Sequence, residues 1–268
     1  MAKLQDLFTQ ARRTQGGGGM GFLGRNRTES KAHAAALVVS FPQVTAGSAE
    51  AALKAGADGL LFTWDGRTKS TLDTLAKEID TAKGSNENLV TGLIVTGGWS
   101  TFTRESLANL KEKNIQYIIL PFNAPARILA MDEKDVEKVV TIPVRDDPMY
   151  PLLIRNLSSF DAVASVLLDF ELDEAFGTLT IEESIRYSAV RQALRYPAFI
   201  RINADFNEAE AYTLQAIGIQ AVILDADNDI ETMRTQVQAI RSILEKVHKD
   251  DHEDTPSIFR PSTPKVEQ

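Results

Sequence analysis

Three stretches share one layout: Ala55-Gly-Ala-Asp-Gly-Leu-Leu-Phe62, Lys113-Asn-Ile-Gln-Tyr-Ile-Ile-Leu120 and Ile217-Gly-Ile-Gln-Ala-Val-Ile-Leu224. In each, a helical pattern closes on a residue suited to left-handed backbone (Gly56, Asn114 or Gly218), and three positions later an apolar run begins. Glycine adopts this conformation freely and asparagine tolerates it, which is how helices commonly end. A continuous apolar run after a fixed gap marks a strand covered on both faces, as in a parallel sheet wrapped by helices.

Working outward, strands are predicted over 36–41, 59–64, 89–96, 117–122, 138–144, 162–169, 198–203 and 221–226. Helical segments intervene. Several open with a side-chain oxygen followed three residues later by an acid: Ser70 with Asp73, Thr180 with Glu183, Asn207 with Glu210, Asn228 with Glu231. Eight strands, each followed by a helix, in units of about 20 to 30 residues, predict an α/β fold of the (β/α)8 TIM-barrel type. A doubly wound open sheet is the alternative. Against its dinucleotide-binding form, the turn after the first strand reads Ser40-Phe-Pro-Gln-Val-Thr-Ala-Gly47 and lacks Gly-x-Gly-x-x-Gly.

The 268 residues, 43% hydrophobic and 25% charged, suit one barrel domain. Residues 1–33 read as a short helix, with Leu4, Leu7, Phe8 and Ala11 on one face, and a Gly-rich linker through Gly16–Gly21. The barrel is placed at 34–248. Residues 249–268 read as a flexible, disordered tail in which Ile258 and Phe259 are the large apolar pair. The apolar helix face must be buried somewhere, under the barrel's own lower mouth or on a second subunit. The N-terminal helix and the tail are therefore the candidate contacts of a homo-oligomer or partner subunit. A phosphate cradle in the Gly run, with Arg25 and Arg27 supplying charge, is a sharper alternative for that segment.

No stretch approaches a membrane span, and the first residues lack the apolar block of a secretory signal. With no cysteine, disulfides and thiolate chemistry are excluded, and a reducing cytoplasm is the expected setting. A formal charge of −8 weighs against nucleic acid and anionic membrane as partners.

Chemistry on this fold belongs at the C-terminal strand ends. Those ends carry Asp65, Asp146, Asp169, Asp205 and Asp225, which would repel one another around a single rim unless a hard cation or a cationic substrate sat between them or some were kept protonated by raised pKa values. Mg²⁺ fits this chemistry, with Asp169 and Glu171 as the expected metal ligands. The same residue types also cap helices and form turns. Loop 170–179 is long enough to act as a lid. Asp169, Glu171, Asp146 and Arg145 are the candidate catalytic residues. Trp64, Trp99, Asn123 and Arg127 are the candidate substrate contacts, with Phe122 as a further aromatic wall. Arg145 reads equally as a substrate clamp or as a salt-bridge partner of Asp146 and Asp147. The three histidines, His33, His248 and His252, lie away from the rim, and no lysine ends a strand as a Schiff-base mechanism requires.

The segments Glu50-Ala-Ala-Leu-Lys-Ala-Gly-Ala-Asp-Gly-Leu-Leu-Phe62 and Ala211-Tyr-Thr-Leu-Gln-Ala-Ile-Gly-Ile-Gln-Ala-Val-Ile-Leu-Asp225 resemble helix–strand junctions of phosphate- and flavin-binding TIM barrels, such as the nitronate monooxygenase and thiamine phosphate synthase groups. The resemblance implies architecture. Those groups hold phosphate on glycine turns after strands seven and eight, whereas here the turns read Asn203-Ala-Asp-Phe-Asn207 and Asp225-Ala-Asp-Asn-Asp229, so no cofactor is carried over.

Three functional classes are consistent with these residues. The first is a metal-assisted, lyase- or aldolase-like enzyme acting on a small polar substrate. The others are a non-catalytic barrel serving as a binding or scaffold subunit, and an aromatic-lined binder of a cofactor or small molecule.

Overall fold

The computed structural model describes residues 3–12, 32–86, 88–131, 135–170 and 179–253. Helix α1 (Lys3–Arg12) precedes the repeat. Then come β1 (Ala36–Phe41), α2 (Ser48–Ala55), β2 (Gly59–Trp64), α3 (Lys69–Ser85), β3 (Val90–Val95), α4 (Arg104–Glu112) and β4 (Tyr117–Leu120). The second half runs β5 (Glu137–Pro143), α5 (Tyr150–Ile154), β6 (Val163–Asp169), α6 (Ile181–Ala193), β7 (Ala198–Ile202), α7 (Glu208–Ile217), β8 (Ala221–Asp225) and α8 (Ile230–Glu253). The strands are parallel and close in sequence order, β8 pairing with β1 from Ala36↔Ala221 to Ser40↔Asp225. The chain is a TIM barrel.

The three left-handed positions are as the sequence requires: Gly56 at φ 116°, Asn114 at 60° and Gly218 at 83°. A repeated device stands just beyond each of them. The residue two places on, Asp58, Gln116 or Gln220, bonds twice to the foot of the preceding strand. Its N–H donates to the carbonyl of Leu37, Thr91 or Ala198 (2.8, 2.9 and 3.1 Å). Its side-chain oxygen accepts the N–H of the same residue at 2.8, 2.6 and 2.7 Å. Strand ends that would otherwise leave buried donors unpaired are thereby satisfied.

Two layers of core result. Strand residues facing outward pack against the helices, while Val38, Leu61, Val90, Tyr117, Ile119, Val139, Leu167, Phe199 and Ile223 fill the barrel. Helix α1 closes the lower mouth. Its Leu4, Leu7, Phe8 and Ala11 are at most 8% exposed and join the inner cluster, so this helix covers its own barrel. The Leu4 N–H donates to Glu137 at the foot of β5 (2.9 Å), and Phe8 packs on Phe199 with ring centroids 5.2 Å apart. Gly92 leaves the space that the Tyr117 ring occupies; a Cβ there would stand 2.1 Å from that ring.

Beside this plug, Asp58 joins His33 (2.7 Å) and Arg241 of α8 (2.9 Å), and Arg241 also holds Glu245 at 3.1 Å. Burial pushes the Asp58 carboxyl up, but His33, Arg241 and the Leu37 N–H together outweigh it and hold it below its ordinary value.

Some expectations need correction. Among the described residues, β4 is followed by a 3-10 turn, Ala126–Ile128, and by no α-helix. Pro121 and Pro125 punctuate this connection, and buried Ile128 fills the helix layer instead. Lys138 ties the connection down by donating Nζ to the Met131 carbonyl at 2.6 Å. The capping boxes at Thr180–Glu183 and Asn207–Glu210 form. Ser70 and Asn228 do not cap: α3 starts one residue earlier, at Lys69, and Asp229 caps α8 by accepting both the N–H and the hydroxyl of Thr232. Asp73 pairs with Lys113, and Glu231 with Arg234. Helix α8 continues to Glu253, past the expected domain edge at 248. The Gly16–Gly21 run, Arg25, Arg27, Glu171, most of the 170–179 loop and the pair Ile258–Phe259 lie outside the described residues. Among the described residues no helix is long and apolar enough to cross a membrane.

Candidate functional site

Alternation along each strand decides which side chains reach the upper mouth. Leu61 faces the barrel interior, so Thr63 does too and Trp64 faces the helices. Likewise Val38 brings Ser40 inward, Leu167 brings Asp169, Phe199 brings Arg201 and Ile223 brings Asp225. The polar centre of the mouth is therefore Asp169, Arg201, Asp225 and Ser40, on the adjacent strands β6, β7, β8 and β1. Arg201 Nη1 pairs with Asp225 Oδ1 at 2.7 Å. Their side chains are 41% and 54% exposed although they point toward the barrel axis, so the mouth is open to solvent.

Beside this pair, the ends of β7 and β8 border an open, solvent-facing cavity of about 350 Å³ lined by Asn203, Asp225, Asp227, Asn228 and Gln236, with Ile202 and Leu224 among the apolar remainder. A smaller cavity of about 180 Å³ lies across the β8–α8 loop, against Phe41, Gln43, Thr45 and Ser48. The loop residues Ala226, Asp227 and Asn228 line both. Two helix starts stand near, and carboxylates already occupy them. Asp227 Oδ1 accepts the Asp229 N–H and Asp229 caps α8, while Glu78 Oε1 accepts the Gly47 N–H at the start of α2 (2.7 Å).

The expected site residues do not form one cluster. Asp169 is at the mouth, but Asp146 turns outward to Arg186 of α6 at 3.4 Å. Arg145 leans toward β4, its guanidinium carbon 5.8 Å from the centroid of Phe122 and 5.6 Å from that of Tyr150. Among the described residues no ion pair joins it to Asp146 or Asp147, and Asp147 accepts the Met149 N–H in a turn. Trp64 is 6% exposed and donates its ring N–H to the Thr68 carbonyl at 2.9 Å, so it belongs to the sheet–helix core. Trp99 is half-buried against Phe102. Arg127 donates to the carbonyls of Phe102 and Trp99, which clamps the β3–α4 loop. Asn123 is exposed in the turn after β4. Among the described residues no three His, Asp or Glu side chains converge as a metal site needs; Glu171 is not among them.

Asp65 is a loop-former. The Thr68 hydroxyl, with the backbone N–H groups of Thr68 and Arg67, holds its carboxyl down to about 2. The β2–α3 and β3–α4 loops then meet at Gly66 and Gly98, both left-handed. A Cβ on Gly66 would lie 2.1 Å from the Gly97 carbonyl oxygen.

Arg201 is absent from the sequence-derived candidates, which come from the strand ends. Its signal is a charge at an inward position of the apolar strand Ala198-Phe-Ile-Arg-Ile202.

The sequence matches no family model and no curated protein. Solved structures do share its fold. A chain of tryptophan synthase from M. tuberculosis in an aminoacrylate-bound form has a TM-score of 0.59 at 12% identity, covering 91% of this chain and all of that one. A protein of Aquifex aeolicus VF5 gives 0.58 at 13%, covering 92% and 98%. The carboxyl transferase domain of Rhizobium etli pyruvate carboxylase gives 0.50 at 11%, covering 84% of this chain and 49% of that one. At such identities the likeness concerns the fold alone: this chain is an α/β TIM barrel with an N-terminal helix beneath it.

Proposed function

We propose that this barrel binds a small polar molecule at its C-terminal mouth, in the cavity beside the Arg201–Asp225 pair, through amine, amide or hydroxyl groups of the ligand. The supporting observation is the 350 Å³ cavity at the ends of β7 and β8, where Asp227, Asn203, Asn228 and Gln236 offer hydrogen-bonding side chains to a common space. Its chemistry disfavours anions. The lining holds two carboxylates, the first turn of α8 is bracketed by Asp227 and Asp229, and the loop has no glycine to bring backbone N–H groups against a phosphate. A metal-assisted lyase or aldolase reaction at Asp169 receives less support, because the partners of Arg145 and Asp146 are the Phe122 ring and Arg186, not Asp169.

Thermal-shift titrations with ethanolamine, agmatine and glycerol, against inorganic phosphate, test this reading. The amines or the polyol should raise the melting temperature of the wild-type chain, and Asp227→Asn should abolish the shift while keeping the oxygen that accepts the Asp229 N–H. Stabilisation by phosphate, a shift indifferent to Asp227→Asn, or no shift with any of the three compounds overturns it.

A further inference from the structure

Arg145 lies two residues past the end of β5 and is exposed at the rim. A guanidinium carries five N–H donors, and among the described residues none of those on Arg145 has a protein acceptor; the neighbouring acids make other contacts, Asp146 with Arg186 and Asp147 with the Met149 N–H. The group is nevertheless held in place. It lies over the rings of Phe122 and Tyr150, an arrangement in which cation–π attraction fixes the head without using its donors. Tyr150 is 1% exposed and so forms a fixed floor, whereas Phe122 keeps 38% of its surface in solvent. An oriented cation with free donors therefore adjoins an open aromatic face.

We infer that Arg145 is the anchor of a carboxylate-binding subsite at the ends of β4 and β5, with the apolar body of the ligand resting on Phe122. The planar fork of guanidinium N–H groups matches the two oxygens of a carboxylate. A phosphate dianion suits the place less, because Asp146, Asp147 and Asp169 stand on the same rim and repulsion grows with ligand charge. The half-open ring of Phe122 favours an acid that carries an aromatic or aliphatic group over a bare anion. Tyr150 is a positioning residue: its ring holds the guanidinium and does not itself meet the ligand. The subsite does not depend on the β7–β8 cavity, whose lining excludes Arg145.

Isothermal titration of the full chain with benzoate, with benzamide as its neutral isostere and inorganic phosphate as competitor, separates the alternatives. Benzoate should bind the wild-type chain at millimolar concentrations, with benzamide at least tenfold weaker. Arg145→Gln should weaken benzoate at least tenfold, and Arg145→Lys should weaken it too, because the charge remains while the fork is lost. Phe122→Leu should weaken benzoate more than it weakens acetate. Asp227→Asn should leave benzoate binding unchanged, which keeps this subsite distinguishable from the cavity ligand. The inference fails if wild-type protein does not bind benzoate, if Arg145→Gln retains wild-type affinity, if benzamide binds equally well, or if phosphate displaces benzoate at equal concentration.

Discussion

Gln220 bonds to Ala198 at two points, donating its N–H to the Ala198 carbonyl and accepting the Ala198 N–H on Oε1, so that one side chain stands in for a missing strand residue. Ala198 is fully buried, and its N–H has no route to water. Gln220→Ala should therefore cost about 1 to 3 kcal/mol, the penalty for an orphaned buried donor. Gln220→Glu should cost less, since it keeps an acceptor and gains charge beside Arg191, which already reaches Oε1 at 3.3 Å. Urea denaturation of the two variants compares them directly.

Asp58 makes the equivalent bond to Leu37 and carries charge as well. Its folded value lies below the ordinary 3.8, so its contribution to stability is complete above that value and is lost as pH falls through the folded one. Stability should decline below about pH 4, the usual carboxylate range. Asp58→Asn should lower stability at pH 7 and flatten the acid limb, as seen in melting temperatures across pH 2 to about 7.

Glu137 has the opposite sign. Burial, assisted by the nearby Asp6, raises its carboxyl above 4.5 despite the Leu4 N–H that favours its charge. Its ionisation therefore opposes folding, a cost absent below the unfolded value and developed once pH exceeds the folded one. Glu137→Gln keeps an oxygen for Leu4 and should raise the melting temperature at pH 7 while changing it little at pH 4.

Inside the barrel, Gly92→Ala places a methyl group within the Tyr117 ring and should cost at least about 1 to 3 kcal/mol through overpacking. Tyr117→Phe should be neutral or stabilising, because the buried Tyr117 hydroxyl has no hydrogen-bond partner among the described residues. The double variant should recover little of the loss, since the ring remains. Urea midpoints of the three variants rank them.

Removing residues 1–12 uncovers the inner cluster from below. Because Leu4, Leu7 and Phe8 are buried in their own barrel, the melting temperature should fall equally at all protein concentrations. A fall confined to dilute solutions would instead point to a helix shared between chains.

Strand positions are legible in the sequence to within one or two residues because the left-handed positions Gly56, Asn114 and Gly218 fix where each following strand can begin. The β4–β5 connection is not, since the repeat itself leads to the expectation of a helix across Pro121 and Pro125. The run Asp227-Asn-Asp229 offers three capping oxygens, and the hydroxyl of Thr232 settles the choice on Asp229. At the mouth, strand-end reading finds Asp169 and Asp225 but not their phase. Whether Trp64 or Thr63 faces inward depends on which residues fill the barrel, and that is decided by closure. The rings around Arg145 come from the turn after β4 and from α5, a meeting that no local pattern encodes.

Helix α1 also dictates an order of events. Its seat is made of Val38, Leu61, Val90, Tyr117, Phe199 and Ile223, contributed by strands from both ends of the chain, and it exists only after β8 has joined β1. The segment that precedes all eight strands in the chain is thus the one whose resting place is finished last. Contacts between Leu4, Leu7 or Phe8 and Ile223 span more than two hundred residues, so docking of the plug carries a long loop-closure cost that local helix formation does not.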